Sequence, residues 1–242
     1  MALMLYLSSG KENYANRYTA IIIEPRQHKA LSFVLKNFLE NLSDEWDVII
    51  MHGNNNLNFI NNIINNELFI YKERIHLENL KVDNLTIPDY NKLFFTEEFY
   101  KKIPTEIFLI FQTDSMICPK YKEKINDFLQ FDYSGAPWAH QGVGNGGLSL
   151  RRKSKMLNKI RKCILNGEDS GTLNEDAFFS DDNCEAPLKP DFENAKLFSS
   201  ETVYSEKSFG IHASWKYLSN DDVKKQTKSC GNGLKTLIEL NK

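Results

Sequence analysis

The chain has 242 residues, 41% of them hydrophobic, enough to bury a sizeable core in one globular domain. Its 30 basic and 32 acidic residues are well mixed and leave a formal net charge of -2. That balance supplies no basic face for phosphates, so nucleic acid is excluded as a partner. Residues 1–9 are apolar but too short to span a bilayer, and they lack the basic region and cleavage site of a signal peptide. No other run reaches transmembrane length, so the chain is not expected to be an integral membrane protein. The four cysteines, Cys118, Cys163, Cys184 and Cys230, show no CxxC pair and no zinc spacing, and read as reduced thiols of a cytoplasmic protein.

In chain order, Tyr18-Thr19-Ala20-Ile21-Ile22-Ile23 reads as a buried strand broken by Glu24-Pro25-Arg26. Residues 28–42 place Leu31, Val34, Leu35, Phe38 and Leu39 on one helical stripe. Asp47-Val48-Ile49-Ile50-Met51 is a second strand stopped by Gly53. This βαβ opening predicts a parallel sheet with helices on its faces, and the missing GxGxxG turn argues against a dinucleotide site. A polar helix follows over 54–71, a third strand over 74–80 and an aromatic-rich helix over 88–102. Residues 106–112 form a central strand that delivers Asp114. Then come a helix over 121–131, an extended segment over 133–138, a strand over 147–150 and a basic helix over 153–163. Residues 166–172 are polar with two glycines and predict a mobile loop. No linker or internal repeat divides the chain, so residues 1–242 are expected to form a single domain with a core over about 18–218.

Four short stretches carry chemistry. Phe108-Leu109-Ile110-Phe111-Gln112-Thr113-Asp114 puts a carboxylate just beyond a central strand, where open α/β sheets bind ligands and where Mg²⁺ or Mn²⁺ could be held between phosphates. Its bland reading is a helix cap or turn residue. Gly144-Asn145-Gly146-Gly147 reads as a flexible loop whose bare backbone lets a ligand approach, after an aromatic platform at Trp138; alternatively it is a plain connector. Glu175-Asp176 ahead of an apolar segment either charges the first turn of a helix or holds a general base. His212, among Phe209, Ile211 and Trp215, is either a core histidine or the nitrogen ligand of a mixed site with Asp114. No Ser-His-Asp order or GxSxG elbow appears.

Together these stretches resemble the core of GT-A-type glycosyltransferases, with a DxD-type metal site, a glycine-rich loop, an xED motif and a C-terminal histidine. The matching positions are Gln112-Thr113-Asp114, Gly144 to Gly147, Asn174-Glu175-Asp176 and His212. The chain resembles more closely a poorly characterised glycosyltransferase-like domain family. That likeness rests on Ile23-Glu24-Pro25-Arg26-Gln27-His28, Val82-Asp83-Asn84-Leu85-Thr86, Tyr90-Asn91, the Gln112 and glycine stretches and Gly135-Ala136-Pro137-Trp138. The resemblance implies an α/β, Rossmann-like GT-A fold with a mostly parallel central sheet flanked by helices. It implies that Asp114 and His212 bind the metal and that Asp176 deprotonates the acceptor, with Glu175 assisting or contacting the acceptor. The glycines would lie against the donor sugar, and Glu24, Arg26 and Asp83 would hold the nucleoside. Gln112 replaces the first acid of DxD; it can hydrogen-bond a hydroxyl but adds no charge to a metal.

The expected activity is sugar transfer from a nucleotide-diphosphate sugar, a UDP-sugar first among them, to a hydroxyl of a glycan, lipid or protein. Inversion is expected, because one base at Asp176 suffices, with Mn²⁺ or Mg²⁺ as Lewis acid on the leaving diphosphate. The rivals are a nucleotidyltransferase making sugar nucleotides, for which Glu24-Pro25-Arg26 poorly replaces an early glycine-rich basic loop, and a non-catalytic carbohydrate- or nucleotide-binding protein.

Overall fold

The computed structural model describes residues 17–139, 142–164 and 174–242; the segments 1–9 and 166–172 singled out above lie outside them. The expected opening is present as β1 (Tyr18–Ile23), α1 (Leu31–Asn41) and β2 (Trp46–His52), followed by α2 (Leu57–Asn66) and β3 (Ile75–Asn79). The stretch expected as one helix over 88–102 forms two, α3 (Ile87–Leu93) and α4 (Glu97–Lys101). The break falls at Thr96, whose side chain accepts the Phe99 backbone N–H and caps α4. Then come β4 (Ile107–Phe111), β5 (Ser115–Ile117), α5 (Ile125–Phe128), β6 (Tyr133–Pro137), β7 (Val143–Arg152), α6 (Lys153–Cys163) and α7 (Glu175–Ser180). The chain ends with α8 (Phe192–Phe198), β8 (Ser199–Ser200), β9 (Gly210–His212), α9 (Asn220–Cys230) and α10 (Gly233–Leu240).

The main sheet has six strands in the order β3-β2-β1-β4-β7-β6. The first four run parallel, β7 is antiparallel to β4, and β6 is antiparallel to β7. This is the mostly parallel, helix-flanked α/β sheet that the sequence implies. Its central strands are apolar on both faces because both are covered. Ile22, Ile50, Leu109 and Phe111 pack with the Leu31, Val34, Leu35 and Phe38 stripe of α1. Their neighbours Ile21, Ile23, Ile49, Phe108 and Ile110 pack with Phe99 of α4, Met156 of α6 and Phe179 of α7. A small second sheet, β5-β9-β8, sits beside the end of β4.

Two expectations are corrected. Gly144 to Gly147 is not a loop but lies inside β7, with Asn145 opposite Ala136. The two strands cross so closely at a register shift that a Cβ on Gly135 would lie 2.3 Å from the Asn145 carbonyl oxygen. The cysteines are not free thiols: Cys118 pairs with Cys230 and Cys163 with Cys184, with Cα separations of 4.4 and 6.1 Å. Pairs of this kind form and persist under oxidising conditions. Among the described residues no helix is long and apolar enough to cross a membrane.

Candidate active site

From β1 the sheet grows one way through β2 and β3, and from β4 it grows the other way through β7 and β6. Loops leaving adjacent strands therefore diverge between β1 and β4 and open a crevice at their carboxyl ends. Glu24 and Arg26 leave β1 on one side; Gln112 and Asp114 leave β4 on the other. The crevice is a cleft of about 640 Å³, within the usual range for a small-molecule site. It gathers Glu24, Arg26, Tyr90, Gln112, Asp114, Asn145, Gly146, Gly147, Asn174, Glu175, Asp176 and His212 from the sequence-derived stretches, and adds Glu201 and Lys216. Three expected residues lie elsewhere. Trp138 lines a second cleft with Phe178 and Ser180 of α7. Asp83 accepts a hydrogen bond from Asn54 Nδ2 at 3.0 Å outside the lining. Gly144 packs so tightly on Ser180 that a Cβ would fall 2.1 Å from the serine Cβ.

Asp114 and His212 meet although 97 residues of chain lie between them. Asp114 immediately precedes β5, and Ser115 pairs with His212 in the β5–β9 ladder. The Ala213 N–H also donates to the Asp114 carbonyl at 2.9 Å. His212 Nε2 lies 3.1 Å from Gln112 Oε1 and 3.2 Å from Asp114 Oδ1, while Nδ1 lies 3.2 Å from Glu201 Oε2. Burial opposes the imidazolium, but the carboxylates of Asp114 and Glu201 outweigh it and push the pKa up to about 9. Lys216 Nζ donates to Asp114 Oδ2 at 2.8 Å. Burial would raise the Asp114 carboxyl, yet His212 and Lys216 hold it well below the usual carboxylate range.

The other acids are also matched to cations, with one exception. Arg26 donates from Nε and Nη2 to both oxygens of Glu24, each at 2.8 Å. Arg151 of β7, fully buried, donates from Nη1 and Nη2 to Glu175 at 2.6 and 3.1 Å. Rings of Phe94 and Tyr133 lie 4.8 and 5.0 Å from its guanidinium carbon. Burial opposes the charge on Arg151, but Glu175 more than restores it. Asp176 is the exception. It accepts from the backbone N–H groups of Ala177 at 2.7 Å and Gly146 at 3.4 Å, and among the described residues it makes no salt bridge. Both acids sit in the first turn of α7, where a helix start favours negative charge.

Consecutive residues of a strand face opposite ways, and Gly146 and Gly147 use both directions. A Cβ on Gly146 would lie 2.5 Å from Glu175 Oε1 and 2.8 Å from the Asp176 Cβ. A Cβ on Gly147 would lie 2.0 Å from His212 Cε1. The bare strand thus lets the α7 carboxylates and the histidine close on it from its two sides.

The sequence did not reveal Arg151, Glu201 or Lys216. Arg151 had a faint signal, since an arginine within a strand buried on both faces demands a carboxylate partner. Lys216 and Glu201 had none: Asp114 lies 102 residues from Lys216, and no spacing within one helix or strand brings residues 11 apart, as Glu201 and His212 are, into contact.

A divalent ion of the kind the resemblance implies needs oxygens turned toward it. Here both Asp114 oxygens are engaged by His212 and Lys216, and Gln112 contributes an uncharged amide. Among the described residues, no group of three or more His, Cys, Asp or Glu side chains is arranged to hold a metal. As placed, these residues do not fit a divalent cation.

The sheet order, flanking helices and strand-end cleft define a GT-A-like glycosyltransferase fold. The chain belongs to the family described as "Protein of unknown function (DUF5672)", whose model matches residues 74–212. Among solved structures, the fold is similar to the glycosyltransferase GlyE of Streptococcus pneumoniae TIGR4, with a TM-score of 0.54 at 12% identity over 93% of this chain and 60% of that one. It is similar to S. aureus TarS 1-349 in complex with UDP, with a TM-score of 0.51 at 11% identity over 93% of this chain and 69% of that one. Similarity to HddC of Yersinia pseudotuberculosis has a TM-score of 0.50 at 12% identity, over 88% of this chain and 98% of that one. The chain thus spans about 60% of the length of GlyE. No curated protein matches the sequence.

Proposed function

We propose that this chain is a single-domain glycosyltransferase that moves a sugar from a nucleoside-diphosphate sugar, with a UDP-sugar as the first candidate, to a hydroxyl of a glycan, lipid or protein. The observation that carries the reading is Asp176: a carboxylate with no salt-bridge partner among the described residues, facing a cleft whose other acids are tied to cations. The nucleoside lies toward the Glu24-Pro25-Arg26 turn and the sugar against Asn145, Gly146 and Gly147. The acceptor oxygen attacks the anomeric carbon as the bond to the diphosphate oxygen breaks. That bond's electron pair leaves on the diphosphate, and the acceptor proton goes to Asp176. One base opposite the leaving group makes the transfer inverting. Glu175 acts by fixing the helix start rather than by touching the acceptor.

The test is incubation with UDP- and GDP-sugars and a panel of hydroxyl acceptors, reading nucleoside diphosphate release and glycosylated product. Acceptor-dependent release that disappears in Asp176→Asn supports the reading. Pyrophosphate formation from a nucleoside triphosphate and a sugar 1-phosphate would instead identify a nucleotidyltransferase. Binding of sugar or nucleotide with no turnover would leave a binding protein.

A further inference from the structure

Lys216, four residues after His212, has a specific placement. Lys216 ends a single 3-10 turn, Ser214–Lys216, that follows β9 directly. The turn is entered through Ala213, which holds a left-handed φ of 45°. A side-chain-bearing residue adopts that conformation only where its surroundings over-determine it, and such residues concentrate at functional sites. Here a set of hydrogen bonds fixes the turn. Ala213 N–H is bonded to the Asp114 carbonyl, Lys216 N–H is bonded to the Ala213 carbonyl, and Ser214 Oγ donates to the buried Gln226. The backbone therefore aims Lys216 back over Asp114. Its side chain is half exposed in the cleft wall, and one of the three ammonium donors is spent on Asp114 Oδ2.

We propose that Lys216 is the cation that receives the leaving nucleoside diphosphate, standing where a divalent ion would otherwise bridge Asp114 and the phosphates. The inference rests on the glycosyltransferase reading and names its leaving-group residue. Asp114 serves as the anchor that fixes the ammonium, Gln112 adds no charge beside it, and the nearby Glu201 carboxylate is turned to His212 Nδ1. As the bond from anomeric carbon to diphosphate oxygen breaks, the negative charge that develops on that oxygen is met by the remaining Lys216 N–H donors. No proton need transfer, and the product is the nucleoside diphosphate bound to a charged lysine. A fixed ammonium acting on charge as it develops needs no reorganisation at the moment of reaction.

Titration calorimetry of the full chain with UDP, GDP and the matching monophosphates, in EDTA and in Mn²⁺, tests this. At least one nucleoside diphosphate should bind in EDTA within about threefold of its affinity in Mn²⁺. Lys216→Met should weaken that diphosphate about tenfold or more while changing the monophosphate by less than about threefold, and Lys216→Arg should recover most of the loss. Binding that depends on Mn²⁺, or a diphosphate affinity indifferent to Lys216→Met, overturns the inference while leaving the glycosyltransferase reading intact. Absence of diphosphate binding under both conditions overturns both. The comparison of EDTA with Mn²⁺ uses the unaltered chain and so decides the matter even where a variant misfolds.

Discussion

Arg151 holds both oxygens of the buried Glu175, at 2.6 and 3.1 Å, while the next residue in the chain, Asp176, makes no salt bridge among the described residues and faces the cleft. The pair joins β7 to the first turn of α7, so it sets where that helix begins relative to the glycine strand. Two adjacent carboxylates thereby acquire different tasks, one structural and one open to chemistry.

Breaking this pair from either side leaves a buried charge without a partner. Arg151→Met and Glu175→Gln are each expected to cost about 3–5 kcal/mol of unfolding free energy in urea titrations. Replacing both residues with methionine should recover much of that loss, since an apolar pair strands no charge. Additive losses in the double variant would show that the two side chains do not act together.

Asp176→Asn keeps the side-chain volume and the contact with Gly146 but cannot take a proton. Transfer should fall about 10²–10⁴-fold, the usual contribution of acid–base catalysis. Nucleotide affinity by calorimetry and the melting temperature should stay near those of the parent. Full transfer activity in this variant would remove Asp176 as the base.

Much of the frame was readable from the chain. Apolar runs at 18–23, 47–51 and 107–111 are central strands because only doubly covered strands are apolar on both faces. The meeting of Asp114 with His212 was implied by the resemblance, since a histidine in apolar company is by itself as readily a core residue. What stayed hidden was pairing. The Lys216–Asp114 and Arg151–Glu175 bonds join residues 102 and 24 apart, and no local spacing encodes such contacts. The glycines misled for a physical reason. Lack of side chains permits a flexible loop, but it equally permits a strand pressed between a helix and a histidine, and composition cannot separate these.

His212 should make stability depend on pH. Folding raises its pKa from an ordinary 6.5 to about 9, so the folded state favours the protonated ring. The contribution is complete below about pH 6.5 and is lost as pH rises through about 9, amounting to about 3 kcal/mol. Urea midpoints measured from pH 6 to 9.5 should therefore fall, and His212→Asn should flatten that slope. An unchanged slope in the variant would place the titration elsewhere.

Gly147→Ala places a methyl group where the His212 ring now lies, and the ring is packed among Gln112, Asp114 and Glu201. The expected cost is about 1–3 kcal/mol, as for other overpacked interiors, together with a smaller pH dependence because the imidazole leaves its carboxylates. Melting curves at pH 6.5 and 9 measure both effects.

Non-reducing peptide mapping by mass spectrometry should find Cys118 linked to Cys230 and Cys163 to Cys184. The second bond closes a sequence separation of 21, so Cys163→Ser should lower stability by about 3 kcal/mol through the freedom it returns to the unfolded chain. Detection of four free thiols in the native chain would contradict the pairing.

The short β5–β9 ladder has a consequence for how this architecture can vary. Ser115 opposite His212, Met116 opposite Ile211 and Ile117 opposite Gly210 fix the two halves of the site by backbone register alone. Insertions or deletions between 118 and 209 that spare the fold leave the Asp114–His212 distance untouched, whereas a one-residue slip of the ladder would swing the imidazole to the opposite face and bring Ile211 or Ala213 to the aspartate. Length is therefore free to drift between the strands, and the frame of three paired residues is not.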